Sequence, residues 1–164
     1  MNPSTEDLRA FAAHDHARCR ARALAAAQER CRARRLRLTP ARFCALEALL
    51  ESHRAMTAYE LLDRLRDAGH GGQPPVAYRA LGFLVDNGFA HRIERLGAYV
   101  ACTAGAEGAH PAAFMVCRAC RAVAETALDV GPDLAERTAA VGFAPERTVV
   151  EVEGLCARCA AARA

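Results

Sequence analysis

The sequence predicts an α+β protein in which a helical unit that ends in a β-hairpin precedes a smaller α/β unit. Three observations predict it: helix start and stop signals before Gly88, a change to β-type residues after it, and two C-x-x-C motifs in the last third of the chain. We expect the units to span residues 1–102 and 110–164, with the Gly-containing, weakly hydrophobic segment 103–109 as the hinge.

Three helices are predicted in the first part of the chain. Residues 5 to about 34 are rich in Ala, Arg, Leu and Glu and contain no Gly or internal Pro, a composition that favours one helix. Thr39 followed by Pro40 is an N-cap and first-turn signal, so a second helix begins there. Thr57 and Glu60 form a capping box that starts a third helix.

A fourth helix is predicted to open at Pro74 and Pro75 and to stop at Gly88. Its inward-facing residues are predicted to be Tyr78, Leu81, Leu84 and Val85. Residues 89–102 are richer in β-type residues and are broken by Gly97, so we predict a hairpin. Packed helices followed by a hairpin indicate a winged helix-turn-helix domain, which binds DNA in many proteins.

The second unit is predicted to be a small α/β domain. Strand-like runs lie near residues 114–116 and 148–152, and a helical stretch at about 132–141 separates them. A unit of this size has a small core, so a metal or another cross-link would stabilise it.

Positive charge is concentrated in the first unit. Residues 1–100 contain 16 Arg and 11 acidic residues, whereas residues 101–164 contain 6 Arg and 8 acidic residues. Between residues 18 and 42 there are nine Arg and a single acid, Glu29, which would suit a polyanion such as DNA. A solvated helix face in an Arg-rich chain explains the same charge equally well.

The chain shows no sign of export or membrane insertion. No apolar run approaches the roughly 18 residues of a membrane helix, and the N-terminus lacks a hydrophobic signal segment. We therefore expect a cytoplasmic protein. In that compartment the eight cysteines stay reduced, so short cysteine spacings indicate metal binding before disulfides.

Two C-x-x-C motifs predict a structural zinc site, formed by Cys117, Cys120, Cys156 and Cys159. Two thiolates three positions apart on a turn can bind one cation, and two such turns complete the tetrahedral sulfur shell that structural zinc favours. A thioredoxin-type redox pair would need only one motif. The metal would tie the beginning of the second unit to its end.

A second candidate site consists of His91, Cys102, His110 and Glu125. If the hairpin turns at Leu96–Gly97, His91 lies directly opposite Cys102, with Cβ atoms about 5 Å apart. The other two residues follow the hinge, so one ion bound by all four would span it. Imidazole, thiolate and carboxylate ligands suit zinc better than magnesium or calcium. Ordinary packed residues and a solvated Glu125 are the alternative.

Several motifs occur in a fixed order along the chain. They are Leu38-Thr39-Pro40-Ala41-Arg42, Ala58-Tyr59-Glu60-Leu61-Leu62, Pro74-Pro75 leading into Tyr78-Arg79-Ala80-Leu81, Gly88-Phe89-Ala90-His91-Arg92-Ile93-Glu94, and the two C-x-x-C pairs. This series resembles the ferric uptake regulator (Fur) superfamily and, within it, the zinc uptake regulator (Zur) branch. The resemblance runs from about residue 31 to residue 159.

The resemblance implies a homodimeric, zinc-responsive repressor of zinc-uptake genes that binds an inverted-repeat DNA operator. It implies an N-terminal DNA-binding winged helix and a C-terminal α/β dimerisation domain. Two Zn²⁺ per protomer are implied: one structural, bound by the four cysteines named above, and one regulatory, bound by His91, Cys102, His110 and Glu125. Iron- and peroxide-sensing branches usually have a His-rich run before the first C-x-x-C, whereas this chain has only His110 there.

The fourth helix is expected to enter the major groove of DNA. Arg79 is the candidate for reading a guanine through its O6 and N7 atoms. Tyr78 either contacts a phosphate or packs beneath the helix. By resemblance, Tyr59 and Arg42 near the starts of the preceding helices are candidate phosphate contacts, which would position the protein rather than specify sequence.

The chain departs from the family pattern at two places. The family's recognition helix commonly has Ser or Thr after the Pro, where this chain has Val76. Gly82 lies inside the same helix, at a cost of about 1 kcal/mol relative to Ala, and could admit a close backbone approach. His14 and His16 precede the resemblance. Because residues two apart do not share a helix face, we expect them to be surface histidines.

Two other kinds of function remain alternatives. One is an iron- or peroxide-responsive regulator of the same superfamily, and the other is a zinc-buffering protein without DNA function. We expect no enzyme, because the H-x-E and P-C-x-x-C pattern of zinc deaminases is missing. Neither a membrane nor a small-molecule substrate is expected as a partner.

Overall fold

The computed structural model describes residues 9–11, 14–102, 112–127, 131–146 and 148–163. It contains two units, in agreement with the predicted α+β class. The first unit has the helices α1 (His16–Ala33), α2 (Pro40–Leu50), α3 (Ala58–Asp67) and α4 (Pro74–Asp86), with strands β1 (Met56–Thr57), β2 (Ala90–Ile93) and β3 (Ala98–Ala101). The second unit has β4 (Ala112–Cys117), β5 (Val123–Ala127), α5 (Gly131–Ala140), β6 (Val150–Gly154) and α6 (Ala157–Ala161).

The first helix is shorter than predicted. Residues Arg9–Phe11 form a 3-10 turn, and α1 starts only at His16. The physical reason is an N-cap: the Asp15 carboxylate accepts a hydrogen bond from the backbone N–H of Arg18 at 3.0 Å. His14 therefore precedes the helix. The rest of the predicted stretch, residues 5–8 and 12–13, lies outside the described residues.

The next two helices begin where the sequence predicts. The Thr39 hydroxyl accepts from the N–H of Arg42, with Pro40 in the first turn of α2. Thr57 and Glu60 form a complete capping box at the start of α3. No described helix combines the length and the apolar character needed to cross a membrane.

Helix α4 packs on α2 and α3 through a narrow apolar stripe. Ala77, Leu81 and Leu84 are at most 1% exposed, and Leu49 and Leu61 face them from the other two helices. The prediction that Tyr78 faces inward is wrong, because its side chain is 51% exposed. The small Ala77 occupies the buried stripe, and the next residue is turned about 100° away from it.

The hairpin is present, but its register differs from the prediction. Strands β1, β3 and β2 form one antiparallel sheet in that order, and His91 lies opposite Val100 rather than Cys102. A 3-10 turn over Glu94–Leu96 and the left-handed Gly97 make the loop longer than assumed. The register is therefore shifted by two residues. Since side chains alternate with period two, His91 and Cys102 still share a face.

The second unit contains a three-stranded sheet with the order β5-β4-β6. The predicted strands at residues 114–116 and 148–152 correspond to β4 and β6, and the predicted helix corresponds to α5. Strand β5 and helix α6 were not predicted. Strand β5 pairs antiparallel with β4, whereas β6 pairs parallel, with Cys117 opposite Gly154.

The two units are in direct contact. Ala55, Ile93 and Val100 of the first unit form one buried cluster with Phe114 and Val123 of the second. Backbone hydrogen bonds also join them, from Ala55 N to Arg121 O at 2.9 Å and from Val123 N to His53 O at 2.8 Å.

Candidate metal centres and nucleic-acid interface

The four cysteines of the C-x-x-C motifs lie together. Their sulfur atoms are all within 4.8 Å of one another: Cys117, Cys120, Cys156 and Cys159. The parallel pairing of β4 with β6 brings this about, because both strands end at the same edge of the sheet and each is followed by a C-x-x-C turn. The arrangement is the closed four-thiolate shell that suits a structural zinc ion.

Backbone groups around these sulfurs favour a thiolate. Burial raises the pKa of Cys117, but N–H groups of Cys156, Cys120 and Ala119 outweigh this effect and lower its pKa to about 6. The pKa of Cys159 is raised to about 12, first by its hydrogen bond with Cys156 and then by burial. Four thiols this close cannot all ionise without a cation, so the cluster would bind metal with release of protons.

A positive side chain accompanies the cluster and was not predicted. A hydrogen bond from Arg158 to Cys120, together with the charges of the neighbouring sulfurs, raises the pKa of Arg158. Four thiolates and one Zn²⁺ carry a net charge of −2, so a guanidinium beside them reduces the repulsion. Arg158 lies inside the second C-x-x-C motif, so the sequence alone could have predicted a positive side chain beside the cysteines.

Three of the four predicted regulatory ligands also converge. His91 on β2, Cys102 just after β3 and Glu125 on β5 offer ligand atoms within 4.8 Å of one another. The Nε2 atom of His91 lies 3.0 Å from Oε1 of Glu125, whose side chain is only 7% exposed. The fourth residue, His110, lies outside the described residues.

These three ligands come from both units. The ring of His91 packs against Phe114 on β4, with centroids 5.0 Å apart, and Glu125 lies opposite Phe114 in the sheet. Phe114, which was not among the predicted site residues, thus contacts His91 and is the cross-strand neighbour of Glu125. The N–H of Cys102 donates to Phe89 O at 3.0 Å, which continues the hairpin ladder and holds the thiol beside the histidine.

The candidate DNA-reading residues are exposed on the first unit. Tyr59 at the start of α3 is 68% exposed and Tyr78 on α4 is 51% exposed. Arg79 is exposed as well, and its Nε donates to the carbonyl of Pro75 one turn earlier at 3.1 Å. This hydrogen bond fixes the Nε end of the guanidinium, and the N–H groups on its two Nη atoms can still donate to a ligand.

Arg42 has partners within the protein. Its guanidinium lies 3.9 Å from the centroid of the Phe83 ring, and its Nη1 donates to the carbonyl of Arg37 at 2.6 Å. This contact links the start of α2 to α4. Val76 contributes no cap, and Gln73 before it makes no side-chain cap hydrogen bond either.

The comparison with known proteins decides the family. The chain is 39% identical to the zinc uptake regulation protein of Escherichia coli (strain K12) over 137 residues, which cover 83% of this chain and 80% of the relative. The chain belongs to the zinc uptake regulator family. The zinc uptake regulation protein of Shigella flexneri matches to the same extent.

Solved structures of Zur proteins support the same assignment. A zinc uptake regulator complexed with zinc and DNA has a TM-score of 0.81 at 37% identity, with 88% of this chain and 97% of that chain covered. Holo XcZur has a TM-score of 0.75 at 41% identity, with 84% and 96% covered. These matches show that this chain has an N-terminal winged-helix DNA-binding domain and a C-terminal dimerisation domain. No protein-family model matches the chain.

Proposed function

We propose that this Zur-family chain is a zinc-responsive transcriptional regulator whose zinc-loaded homodimer binds an inverted-repeat operator and represses zinc-uptake genes. The observation that carries the proposal is the convergence of His91, Cys102 and Glu125 from two units. A ligand that contacts both the hairpin of the first unit and the second unit can control the orientation of one unit relative to the other.

Two zinc ions per protomer are proposed. The structural ion is assigned to Cys117, Cys120, Cys156 and Cys159, and the regulatory ion to His91, Cys102, His110 and Glu125. When bound, zinc supplies a positive charge and a tetrahedral preference that hold four ligands together. Glu125 is nearly buried, so its carboxylate needs such a positive partner.

Residues outside the regulatory group already support a fixed arrangement of the units. The Glu151 carboxylate on β6 accepts hydrogen bonds from the N–H groups of Glu94 at 2.6 Å and Arg95 at 3.0 Å, at the tip of the hairpin. Arg95 also donates to Glu153 at 2.9 Å. These contacts act on the same relative orientation of the units as the three converging ligands.

On the DNA side, α4 is proposed to enter the major groove with Arg79 reading a guanine. Tyr78, Tyr59 and Arg42 are proposed to contact phosphates, which position the helix without specifying sequence. Arg42 supports α4 through Phe83 at the same time. The nine arginines between residues 18 and 42 add the positive field that attracts DNA.

The second unit is proposed to form the homodimer, with the boundaries 1–102, 103–109 and 110–164 for the two domains and the hinge. Large apolar side chains are exposed on this unit, namely Leu134, Val141, Phe143 and Val152. Such a concentration of exposed apolar residues is typical of a protein interface. A two-fold dimer presents two equivalent α4 helices, so an inverted-repeat operator follows.

The alternatives make different predictions. An iron- or peroxide-responsive regulator would bind its operator with iron or manganese, whereas the thiolate of Cys102 favours zinc. A zinc buffer would need neither the exposed face of α4 nor its Arg79. We propose a regulator in the bacterial cytoplasm rather than an enzyme, because the two four-ligand sets leave no open metal position for a substrate.

The decisive experiment is a mobility shift on an inverted-repeat operator across a series of buffered free zinc concentrations, with metal content measured on the same samples. Operator binding should rise as zinc fills the regulatory site, and iron or manganese should not replace it. Equal operator binding by the chelator-treated and zinc-loaded dimers would contradict the proposal.

A further inference from the structure

A third group of metal-type ligands lies at the start of α1. His14, His16, Cys19 and His53 offer ligand atoms that are all within 4.8 Å of one another. We propose that these four residues, called the N-terminal cluster below, form an additional zinc site that fastens the beginning of α1 to the loop after α2. The metal-binding part of this proposal does not depend on operator binding.

Three imidazole rings meet in the N-terminal cluster. The Nε2 atoms of His14 and His53 are 3.0 Å apart. The ring centroid of His53 lies 4.9 Å from that of His14 and 5.0 Å from that of His16, and the other two centroids are 5.6 Å apart. Without a metal, one of these two Nε2 atoms donates a hydrogen bond to the other, and ligand atoms of all three rings are close enough to reach a common cation.

His16 has the hydrogen-bonding pattern of a metal ligand. Its Nε2 lies 2.9 Å from the carbonyl oxygen of Glu51, which can only accept, so the ring N–H is on Nε2. The Nδ1 atom is buried and has no hydrogen-bond partner within the described part of the chain. Metal-bound histidines commonly donate their second ring N–H to a backbone carbonyl, which directs the other nitrogen toward the metal.

The local structure explains why surface histidines were expected from the sequence, whereas the histidines form a cluster. Asp15 caps α1, so His14 lies before the helix and the rule for residues two apart does not apply to it. His16 and Cys19 are three residues apart inside the helix and share one face. His53 comes from the loop after α2. Only the packing of α1 against that loop brings the fourth ligand to the group.

The donor set suits zinc. Three neutral imidazoles and one thiolate give a charge of −1, which leaves +1 with Zn²⁺ bound, and nitrogen–sulfur ligation is what zinc prefers. In a tetrahedral zinc site, neighbouring ligand atoms are about 3.4 Å apart, as the Zn–N and Zn–S bond lengths require. Side-chain rotations that move the ligand atoms by roughly 1 Å bring them from within 4.8 Å of one another to that spacing. With four protein ligands the site is closed, so its role is structural rather than catalytic.

The N-terminal cluster lies beside the regulatory ligands. The carbonyl of His53 accepts from the N–H of Val123, two residues before Glu125 on β5. The small pocket that His16, Cys19 and His53 line also contacts Val100 and Ala101, immediately before Cys102. A metal that holds the loop of His53 would therefore also support the strand positions of two regulatory ligands.

The first test counts zinc in the full-length protein. Chelator-treated protein is reloaded with zinc, excess metal is removed, and zinc per protomer is measured for the wild type, for His14→Ala combined with His53→Ala, and for His70→Ala. His70 lies outside all three ligand groups, which makes it the matched control. We expect three equivalents in the wild type and in the control, and two in the double variant.

The second test follows the Cys19 thiol directly and needs no variant. Alkylation of the native protein is measured by mass spectrometry with and without zinc, with Cys44, a partly buried thiol of α2, as the internal reference. At 90% occupancy, zinc should slow Cys19 alkylation about tenfold and leave Cys44 unchanged. Equal alkylation of Cys19 with and without zinc would overturn the proposal, as would three equivalents in the double variant. Loss of one zinc from the double variant, combined with a wild-type operator response, would support the N-terminal cluster as a site separate from the regulatory site.

Discussion

The Nε2 atom of His91 lies 3.0 Å from Oε1 of Glu125, although the two residues belong to different sheets. His91 is on the hairpin of the first unit and Glu125 is on β5 of the second. A charged carboxylate that is only 7% exposed needs a positive partner. The pair therefore favours the binding of a cation between the two units. Cys102 completes the described part of the group.

Replacing Cys102 with Ser should weaken zinc-dependent operator binding and leave a folded dimer. The substitution removes one of the proposed regulatory ligands, and such couplings between two ligands are typically about 1–3 kcal/mol, or roughly 5–150-fold in affinity. Operator titrations at fixed free zinc measure the loss. Cys44→Ser is the matched control, because that thiol lies in none of the three ligand groups. An unimpaired zinc response in the Cys102 variant would remove this residue from the regulatory site.

Replacing Cys117 with Ser should destabilise the second unit and release one zinc per protomer. Structural zinc contributes on the order of 10 kcal/mol of binding free energy at neutral pH, and most of it would be lost with the site. Thermal unfolding and zinc content measured on the same sample provide the check. The Cys44→Ser protein again serves as the control. A melting profile identical to that of the wild type would contradict a structural role for the four thiolates.

Replacing Arg79 with Ala should reduce operator affinity by about 1–3 kcal/mol and relax the preference at one base pair of each half-site. The reason is the loss of a bidentate contact to guanine from the exposed face of α4. Arg163→Ala, at an exposed position after α6, changes the net charge equally and is the control. Operators substituted at single positions show whether the preference is lost. A uniform loss across all sequences would instead assign Arg79 to a phosphate.

Replacing Arg121 with Gln should loosen the contact between the units. Arg121 donates two hydrogen bonds to the Glu60 carboxylate, at 3.0 and 3.2 Å, and Glu60 lies in the first turn of α3. Because both side chains are partly exposed, we expect a loss of only about 0.5–1 kcal/mol of unfolding free energy. Urea unfolding measures it, and Arg118→Gln, an exposed position of the same turn, is the control.

The pH dependence of that loss follows from Glu60. A hydrogen bond from the backbone N–H of Thr57, followed by one from the Arg121 guanidinium, lowers the pKa of Glu60 from 4.5 to about 2. A lowered carboxyl pKa stabilises the folded state fully above about 4.5, and this stabilisation disappears as the pH falls through 2. The difference between the wild type and Arg121→Gln should therefore be constant from pH 6 to pH 8. A difference that changes across this range would show that another group titrates at the contact.

The metal centres were predicted from the sequence to different degrees. The four cysteines were predictable because C-x-x-C spacing is a local property, and only their convergence needed the parallel pairing of β4 with β6. The pairing of His91 with Cys102 was predicted with a register wrong by two residues, because a 3-10 turn lengthened the loop. The shared face was preserved, since a shift of two keeps the alternation of side chains.

Residues that depend on packing between distant segments were not predictable. His53 joins His14 and His16 only because α1 packs against the loop after α2, and nothing in the local sequence signals it. Strand β5 has the sequence VAETA, which has little β propensity and becomes a strand by pairing with β4. Tyr78 was predicted to face inward because its spacing from Leu81 and Val85 suits one helix face, but Ala77 occupies the buried stripe.

Replacing Gly82 with Ala should raise the stability of the protein and lower its affinity for the operator. A Cβ atom built on Gly82 meets no other atom within 4 Å, and the residue is helical, so Ala fits without strain. The gain should be about 0.5–1 kcal/mol, or roughly 1–4 °C in Tm for a chain of this size. Gly82 follows Arg79 by three residues and shares its exposed face, where an added methyl group would meet the approaching DNA. Calorimetry and operator titration of the same variant test both effects. A higher Tm with unchanged operator affinity would show that the DNA does not approach the backbone at this position.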